Sequence, residues 1–181
     1  MNKHDLRREI KAALAALPAA SAAAEDTAIC RLILQKQIWQ QADTVFCYVP
    51  AGNELDITPL LIAALETGKA LCVPLITGDG IMEARRIASL DALRKGSFGI
   101  PEPPTDTPPV PPESIDLVIL PGLAFDPRTH ARLGKGGGYY DRFLPGCGGY
   151  KLAPCRLCQL RDDIPSEPHD VKVDEVLTVS I

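Results

Sequence analysis

An excess of positive charge is the first thing this sequence lacks. Its 181 residues carry 19 Lys and Arg against 23 Asp and Glu, a formal charge of −4 with a pI near 5.4. No global cationic field is therefore present to hold a nucleic-acid backbone, which excludes a general nucleic-acid binder. Long apolar runs are missing as well. None approaches the roughly 20 residues that a helix needs to cross a bilayer, so no transmembrane helix is expected. The stretch from Ala12 to Ala24 imitates the apolar part of a secretory signal. Asp5 and Glu9 in its basic flank, Pro18 in its middle and the amphipathic pattern on both sides argue against that reading, and a cytoplasmic protein is expected. A complete zinc signature is also absent. Cys155 and Cys158 form C-x-x-C, but only the unpaired Cys147 and His169 are nearby and no second close pair exists. The six cysteines are expected to be reduced thiols, several of them packing as small hydrophobes.

What is present suits one globular unit. Apolar residues make up 46% and charged residues 23%, ordinary values for a folded domain, and 181 residues can bury a core without disulfides or metal. A single domain over 1–181 is expected, with no internal repeat. Leu6, Ile10, Leu14 and Leu17 recur at helical spacing up to Pro18, and Ile29, Leu32 and Ile33 mark a second helix. Thr44 to Val49 reads as a strand covered on both faces. Thr58 before Pro59 reads as an N-cap, Leu60, Leu61, Ala64 and Leu65 as the buried stripe of the next helix, and Gly68 as its terminator. Ala70 to Leu75, Asp116 to Leu120 and Val176 to Ile181 read as further strands. Residues 101–112 hold seven prolines and should form an extended surface connection. Strands alternating with helices predict an α/β fold: three layers, a mostly parallel sheet with helices on both faces, Rossmann-like.

The segment most informative about chemistry runs from Leu120 to Leu144 (LPGLAFDPRTHARLGKGGGYYDRFL). It follows a strand, which in an open α/β sheet places it at the carboxyl edge where ligands bind. Gly134, Gly136, Gly137 and Gly138 surround Lys135, so backbone N–H groups can approach an anion without Cβ obstruction. A helix starting near Tyr139 adds its positive end. Arg128, Arg132, Lys135 and Arg142 outnumber Asp126 and Asp141, a local reversal of the acidic balance. An anionic ligand is the economical reading. The pattern is neither the Walker loop, which needs Ser or Thr after Gly-Lys, nor GxGxxG, because Tyr139 stands where the last glycine would fall.

The run Arg132 to Asp141 (RLGKGGGYYD), preceded by Leu120 to Asp126 (LPGLAFD), resembles the signature of the 5-formyltetrahydrofolate cyclo-ligase family. Three further segments resemble that family in the same order. Lys3 and Arg7 match its K-x-x-x-R helix, Tyr48 to Asp56 (YVPAGNELD) its Y-x-x-x-x-x-E-x-D element, and His169 to Thr178 (HDVKVDEVLT) its C-terminal element. The resemblance implies an enzyme that uses Mg-ATP to close 5-formyltetrahydrofolate into 5,10-methenyltetrahydrofolate, releasing ADP and phosphate. It further implies that Lys3, Arg7 and the stretch Arg132, Leu133, Gly134, Lys135, Gly136, Gly137, Gly138, Tyr139 and Tyr140 bind ATP. Lys135 would be the catalytic cation that follows charge during transfer. Val49, Glu54, Lys135, Gly136, Gly137, Gly138 and Tyr139 would bind the folate, and Asp141 and Asp170 would bind Mg²⁺. The expected partners are ATP and 5-formyltetrahydrofolate, with no nucleic acid or membrane, and the expected state is a monomer.

Other residues keep plainer readings. Lys11 continues the spacing of Lys3 and Arg7 but stays a solvated surface cation. Gly99 to Pro103 (GIPEP) also resembles a family element, and Glu102 receives no role. Cys147 to Leu157 departs from the regular helix and strand usual in the family, and Gln159 restores the register. Two alternatives stand beside the ligase: a sugar-phosphate isomerase or phosphate-sensing module using the same glycine loop, and a zinc-binding protein built on the cysteines.

Overall fold

The computed structural model describes residues 2–180. Helix α1 (Lys3–Ala16) is capped by Asn2, whose side chain accepts the N–H of Asp5 at 2.9 Å. It buries Leu6, Ile10 and Leu14 and stops where Pro18 forces Leu17 into an extended conformation. Helix α2 (Ala19–Gln35) buries Glu25, Asp26, Ile29, Cys30 and Ile33, whereas Leu32, expected in the stripe, is 40% exposed. The stripe is centred on the Ile29/Ile33 line and runs toward Cys30; Leu32 lies off its other side by helical geometry. Short helix α3 (Gln37–Gln41) seats Trp39 and leads into strand β1 (Thr44–Cys47).

Helix α4 (Thr58–Glu66) corrects the expected cap. Thr58 is already helical, and the carboxylate of Asp56 accepts its N–H at 2.9 Å in the capping role. Gly68, at φ +76°, ends the helix as anticipated. Strand β2 (Ala70–Gly78) outruns the expected Ala70–Leu75 and turns back as strand β3 (Ile81–Ile87) in an antiparallel pair. Two-residue strands β4 (Arg94–Lys95) and β5 (Pro101–Glu102) make a small hairpin. The proline-rich connection is extended, and its strand β6 (Pro109–Val110) pairs with β3 at the edge of the main sheet, where missing N–H groups are tolerated. Strand β7 (Leu117–Ile119) is followed by the ribbon β8 (Ala124–Phe125) and β9 (Arg132–Leu133). Helix α5 (Tyr139–Phe143), strand β10 (Tyr150–Pro154) and strand β11 (Glu175–Leu177) complete the chain. The expected last strand is thus shorter, and Ile181 lies outside the described residues.

The main sheet has the order β11-β10-β7-β1-β2-β3-β6. Its first five strands are parallel, and β3 alone runs against the rest, pairing antiparallel with β2 and β6, so the mostly parallel sheet is as expected and the hairpin is an addition. Helices α2, α3 and α4 pack on one face through Ile29, Ile33, Trp39, Leu60 and Leu61 against Val45, Leu71, Leu117 and Ile119. The other face carries Phe46, Cys72, Val118 and Ala153 under Phe125, Phe143 and Leu144. Only the five-residue α5 and short turns supply helix there, which leaves room for a cleft. Among the described residues no helix is long and apolar enough to cross a membrane.

Candidate functional site

Parallel strands send β1, β2 and β7 to one carboxyl edge, and a cleft of about 1090 Å³ opens there. Every residue singled out above for ATP, folate or metal lines it, from Lys3 and Arg7 on α1 to Asp170 near the C-terminus. The 29 positions between Asp141 and Asp170 are closed by a backbone contact: Val171 N–H donates to Asp141 Oδ1 at 3.1 Å.

The glycine loop 134–138 joins β9 to α5. Gly136 at φ +111° and Gly138 at φ +69° hold conformations that L side chains rarely adopt. Two of its carbonyls are met by cations, with Arg7 Nε donating to Gly134 O at 2.9 Å and Arg142 Nη1 to Gly137 O at 2.9 Å. Among the described residues no protein acceptor meets the N–H groups of Gly136, Gly137 or Gly138. The loop therefore presents donors to the cleft. Because α5 has only five residues, these amides and the cations, rather than a long helix dipole, supply the field.

Arg132 is nearly enclosed. Its guanidinium donates to Asp141 Oδ1 at 3.0 Å and Pro121 O at 3.2 Å and lies 5.6 Å from the Tyr140 ring centroid, so it stiffens the loop from beneath. Its Nε is buried without a protein acceptor. Burial pushes the Tyr140 phenol well up, with nearby Glu54 adding to the effect, so Tyr140 stays protonated at neutral pH. Lys3 joins Asp170 at 2.7 Å and also Glu167. Burial alone would lower the Lys3 ammonium, but the two carboxylates outweigh it and raise it. Asp170 is likewise raised by burial but more strongly lowered, chiefly by Lys3 and the Glu167 N–H.

The facing wall comes from the segment after β1. Glu54 Oε2 accepts the N–H of Ala51 at 3.0 Å, and its Oε1 meets Lys135 Nζ at 2.6 Å, so the two walls touch through one ion pair. Val49, Pro74, Ile76 and Met82 make this side apolar. Sequence reasoning missed Phe98, which is 78% exposed at φ +55° with its ring 6.1 Å from that of Tyr139. Its signal was the adjoining GIPEP stretch. Glu102, left without a role, clasps this turn by accepting Ile76 N–H at 3.3 Å and Ser97 N–H at 3.1 Å. Glu167 and His169 were missed as well, and their ligand atoms lie within 4.8 Å of each other and of Asp170.

No cysteine joins that group, the one triad among the described residues with metal-ligand spacing, so the zinc reading loses its support. Cys155 belongs to the core beneath β10. Burial pushes the thiols of Cys30, Cys72 and Cys155 up to about 12 and that of Cys147 up to about 11. A thiol titration of native protein at neutral pH should count at most one fast group, the partly exposed Cys158, and six after denaturation. Several fast native thiols would contradict this packing.

Known proteins resemble this chain in sequence and in fold. The sequence model of the 5-formyltetrahydrofolate cyclo-ligase family matches residues 1–179. A 5-formyltetrahydrofolate cyclo-ligase of Mycolicibacterium smegmatis is 39% identical over 144 residues, covering 75% of this chain and 73% of its own. One of Mus musculus is 28% identical over 188 residues, covering 97% and 92%. The NMR structure of Aquifex aeolicus 5,10-methenyltetrahydrofolate synthetase aligns with a TM-score of 0.87 at 30% identity, over 97% of this chain and 89% of that one.

Proposed function

The chain belongs to the 5-formyltetrahydrofolate cyclo-ligase family, and on that premise we propose how its cleft carries out the ATP-dependent closure of 5-formyltetrahydrofolate to 5,10-methenyltetrahydrofolate. The observation that carries the residue assignments is the meeting of two unlike walls. One is a glycine loop with free amides, and the other is an apolar wall bearing Glu54, joined by the 2.6 Å contact between Lys135 and Glu54. Loop amides, Lys3 and Arg7 bind the ATP phosphates. Glu54 accepts hydrogen bonds from the amino-pyrimidinone edge of the pterin, and Val49 and Tyr139 flank it. The formyl oxygen takes the γ-phosphoryl group as ADP leaves. N10 then attacks the activated formyl carbon and gives up its proton, and phosphate departs. An amide oxygen is a poor leaving group until phosphorylated. Phosphoryl transfer needs positioning and charge neutralisation more than covalent help, and a cationic, amide-lined loop is suited to provide both.

Mg²⁺ fits the residues present. Asp141 lends one oxygen to Arg132 and Val171, while its other oxygen has no protein donor among the described residues. Asp170 precedes Val171, whose N–H binds Asp141. Hard oxygen donors beside a phosphate loop are what this cation accepts, and Asp141 with Asp170 would hold it. When bound, it would offset the negative charge of the phosphates. A monomer acting in the cytoplasm is part of this proposal, the location being in keeping with the six free thiols.

The direct test is absorbance of the methenyl product with and without ATP. Formation only with ATP supports the ligase; phosphate binding without product would support a phosphate-sensing module instead. Glu54→Gln should raise KM for 5-formyltetrahydrofolate roughly 10- to 100-fold, as expected for loss of a charged hydrogen-bond partner, with a much smaller change for ATP. Equal loss of both substrates would move Glu54 out of the folate subsite.

A further inference from the structure

The turn that follows β10, Arg156 to Gln159, closes the stretch Cys147 to Leu157 that departs from the family pattern, and the sequence attached no function to it. Its two ends are deeply buried, Arg156 at 5% and Gln159 at 4% exposed, while Leu157 between them faces solvent. A guanidinium can stay there only if its donors are met. Four of its five N–H donors are. Nε and Nη2 grip Asp26 of α2 side-on, at 2.7 Å to Oδ1 and 2.7 Å to Oδ2. Nη1 then donates to Asn53 O at 2.9 Å, and Nη2 to Glu54 O at 3.2 Å. Asp26 Oδ2 also accepts the N–H of Asp56 at 2.9 Å. One buried ion pair thus holds three backbone groups of segment 53–56.

The Leu55 carbonyl between these groups is held separately, by the buried Tyr48 hydroxyl at 2.7 Å, and the Leu55 side chain packs in the core. Among the described residues no other hydrogen bond reaches the carbonyl of Asn53 or Glu54. Apart from its ion pair with Lys135 across the cleft, the remaining bonds of Glu54 are internal to the loop: Glu54 N–H to Ala51 O at 3.3 Å, and Ala51 N–H to Glu54 Oε2 at 3.0 Å. Internal bonds fix the shape of a loop but not its place relative to the sheet. Only the Arg156–Asp26 pair fixes the place of those carbonyls, and an apolar side chain could not, because bare carbonyls require donors. The same turn reaches the neighbouring segment of the cleft. Gln159 Nε2 donates to Gly122 O at 2.9 Å and Leu123 O at 3.3 Å, while its Oε1 accepts Arg156 N–H at 2.9 Å. Gly122 lines the cleft after β7.

We infer that Arg156, locked by Asp26, is a positioning residue for folate recognition: it sets the distance of Glu54 from the opposite wall through the backbone of segment 53–56. The inference rests on the reading of Glu54 as the folate-binding carboxylate. It assigns Arg156 no contact with either substrate, and it predicts an effect on folate that passes through Glu54 alone. A planar guanidinium suits the task, since one edge can take a carboxylate while the rest reaches two carbonyls.

The test is a kinetic cycle. The double replacement Asp26→Asn with Arg156→Gln removes both charges together, so neither is left buried alone. It should raise KM for 5-formyltetrahydrofolate on the order of tenfold, with kcat and KM for ATP changing by less than about threefold. In a Glu54→Gln background the same pair of replacements should cost almost nothing more, because misplacing an absent carboxylate has no effect. Arg156→Lys, which can still reach Asp26 and one carbonyl, should recover part of the folate affinity. A loss shared equally by both substrates, or one that adds in full to Glu54→Gln, would make Arg156 a merely structural residue and overturn the inference. If the double variant shows no cooperative melt, Arg156→Lys carries the same cycle with a smaller expected rise, and the same additivity overturns it. Should Glu54→Gln itself leave the folate KM unchanged, the reading of Glu54 fails and the inference falls with it. A strong Glu54→Gln effect beside a silent double variant overturns the inference alone.

Discussion

Lys135→Met is expected to cut turnover by on the order of 100- to 1,000-fold, the usual consequence of removing one electrostatic stabiliser of a developing charge. The argument begins with where this side chain sits. It is half exposed, on a loop held open by glycines, and its one ion pair is with Glu54 across the cleft. Nothing in the core rests on it, so the melting temperature should barely move, as for most exposed replacements. Before substrates arrive the ammonium lies at the folate side; incoming phosphates offer it a stronger partner in place of Glu54, and a flexible lysine can make that transfer where a fixed arginine could not. Its loss should therefore appear in kcat at saturating levels of both substrates, and much less in folate KM. Product formation followed by absorbance, beside a thermal melt, separates the outcomes. A variant within a few-fold of the parent enzyme would remove Lys135 from the chemistry.

Legibility from sequence divided along the line between local and distant forces. Local signals read well: the Leu6, Ile10, Leu14 stripe, Gly68 as a helix stop, and the glycine loop before Tyr139 are where spacing and backbone freedom placed them. Strand β3, and with it the hairpin to the expected β2, escaped because Glu83, Arg85 and Arg86 interrupt its apolar residues, a pattern natural to a strand near a sheet edge with one wet side. Strand β10 escaped because Gly148, Gly149 and Pro154 look like loop residues. Gly149 is needed there, since a Cβ would come within 2.4 Å of the carbonyl of Ile115. Boundaries erred where a neighbour supplied the decisive group, as when Asp56 rather than Thr58 proved to cap α4. In the site, the glycine loop was readable from its own composition. Glu54 was not, for an acid in a turn looks ordinary until a second wall with Lys135 faces it. The Arg156–Asp26 pair was the least legible, because 130 positions separate its partners and neither has a local signature.

The last expected result concerns the metal. Asp141→Asn keeps an oxygen acceptor for Arg132 and for the Val171 N–H, and it removes the negative charge. The free oxygen of Asp141 is the better candidate for Mg²⁺, whereas both oxygens of Asp170 are already met by Lys3, at 3.0 and 2.7 Å. Mg²⁺ takes one or two carboxylates beside phosphates and keeps several waters, so the site should be weak alone and complete only with ATP. Asp141→Asn should then raise the Mg²⁺ concentration for half-maximal turnover on the order of 10- to 100-fold, the loss seen even when residues supporting a metal site are changed. Asp170→Asn should raise it less, because Lys3 must first release that carboxylate. Some stability should go as well, since Arg132 is buried and loses a charged partner. For that reason titrations belong well below the melting temperature, beside melts recorded with ATP at rising Mg²⁺. If Asp141 holds the ion, the stabilisation that Mg-ATP gives the parent protein should shift to higher Mg²⁺ in the variant, independently of turnover. A lower melting temperature with unchanged Mg²⁺ dependence in both assays would make Asp141 the anchor of Arg132 and place the metal elsewhere.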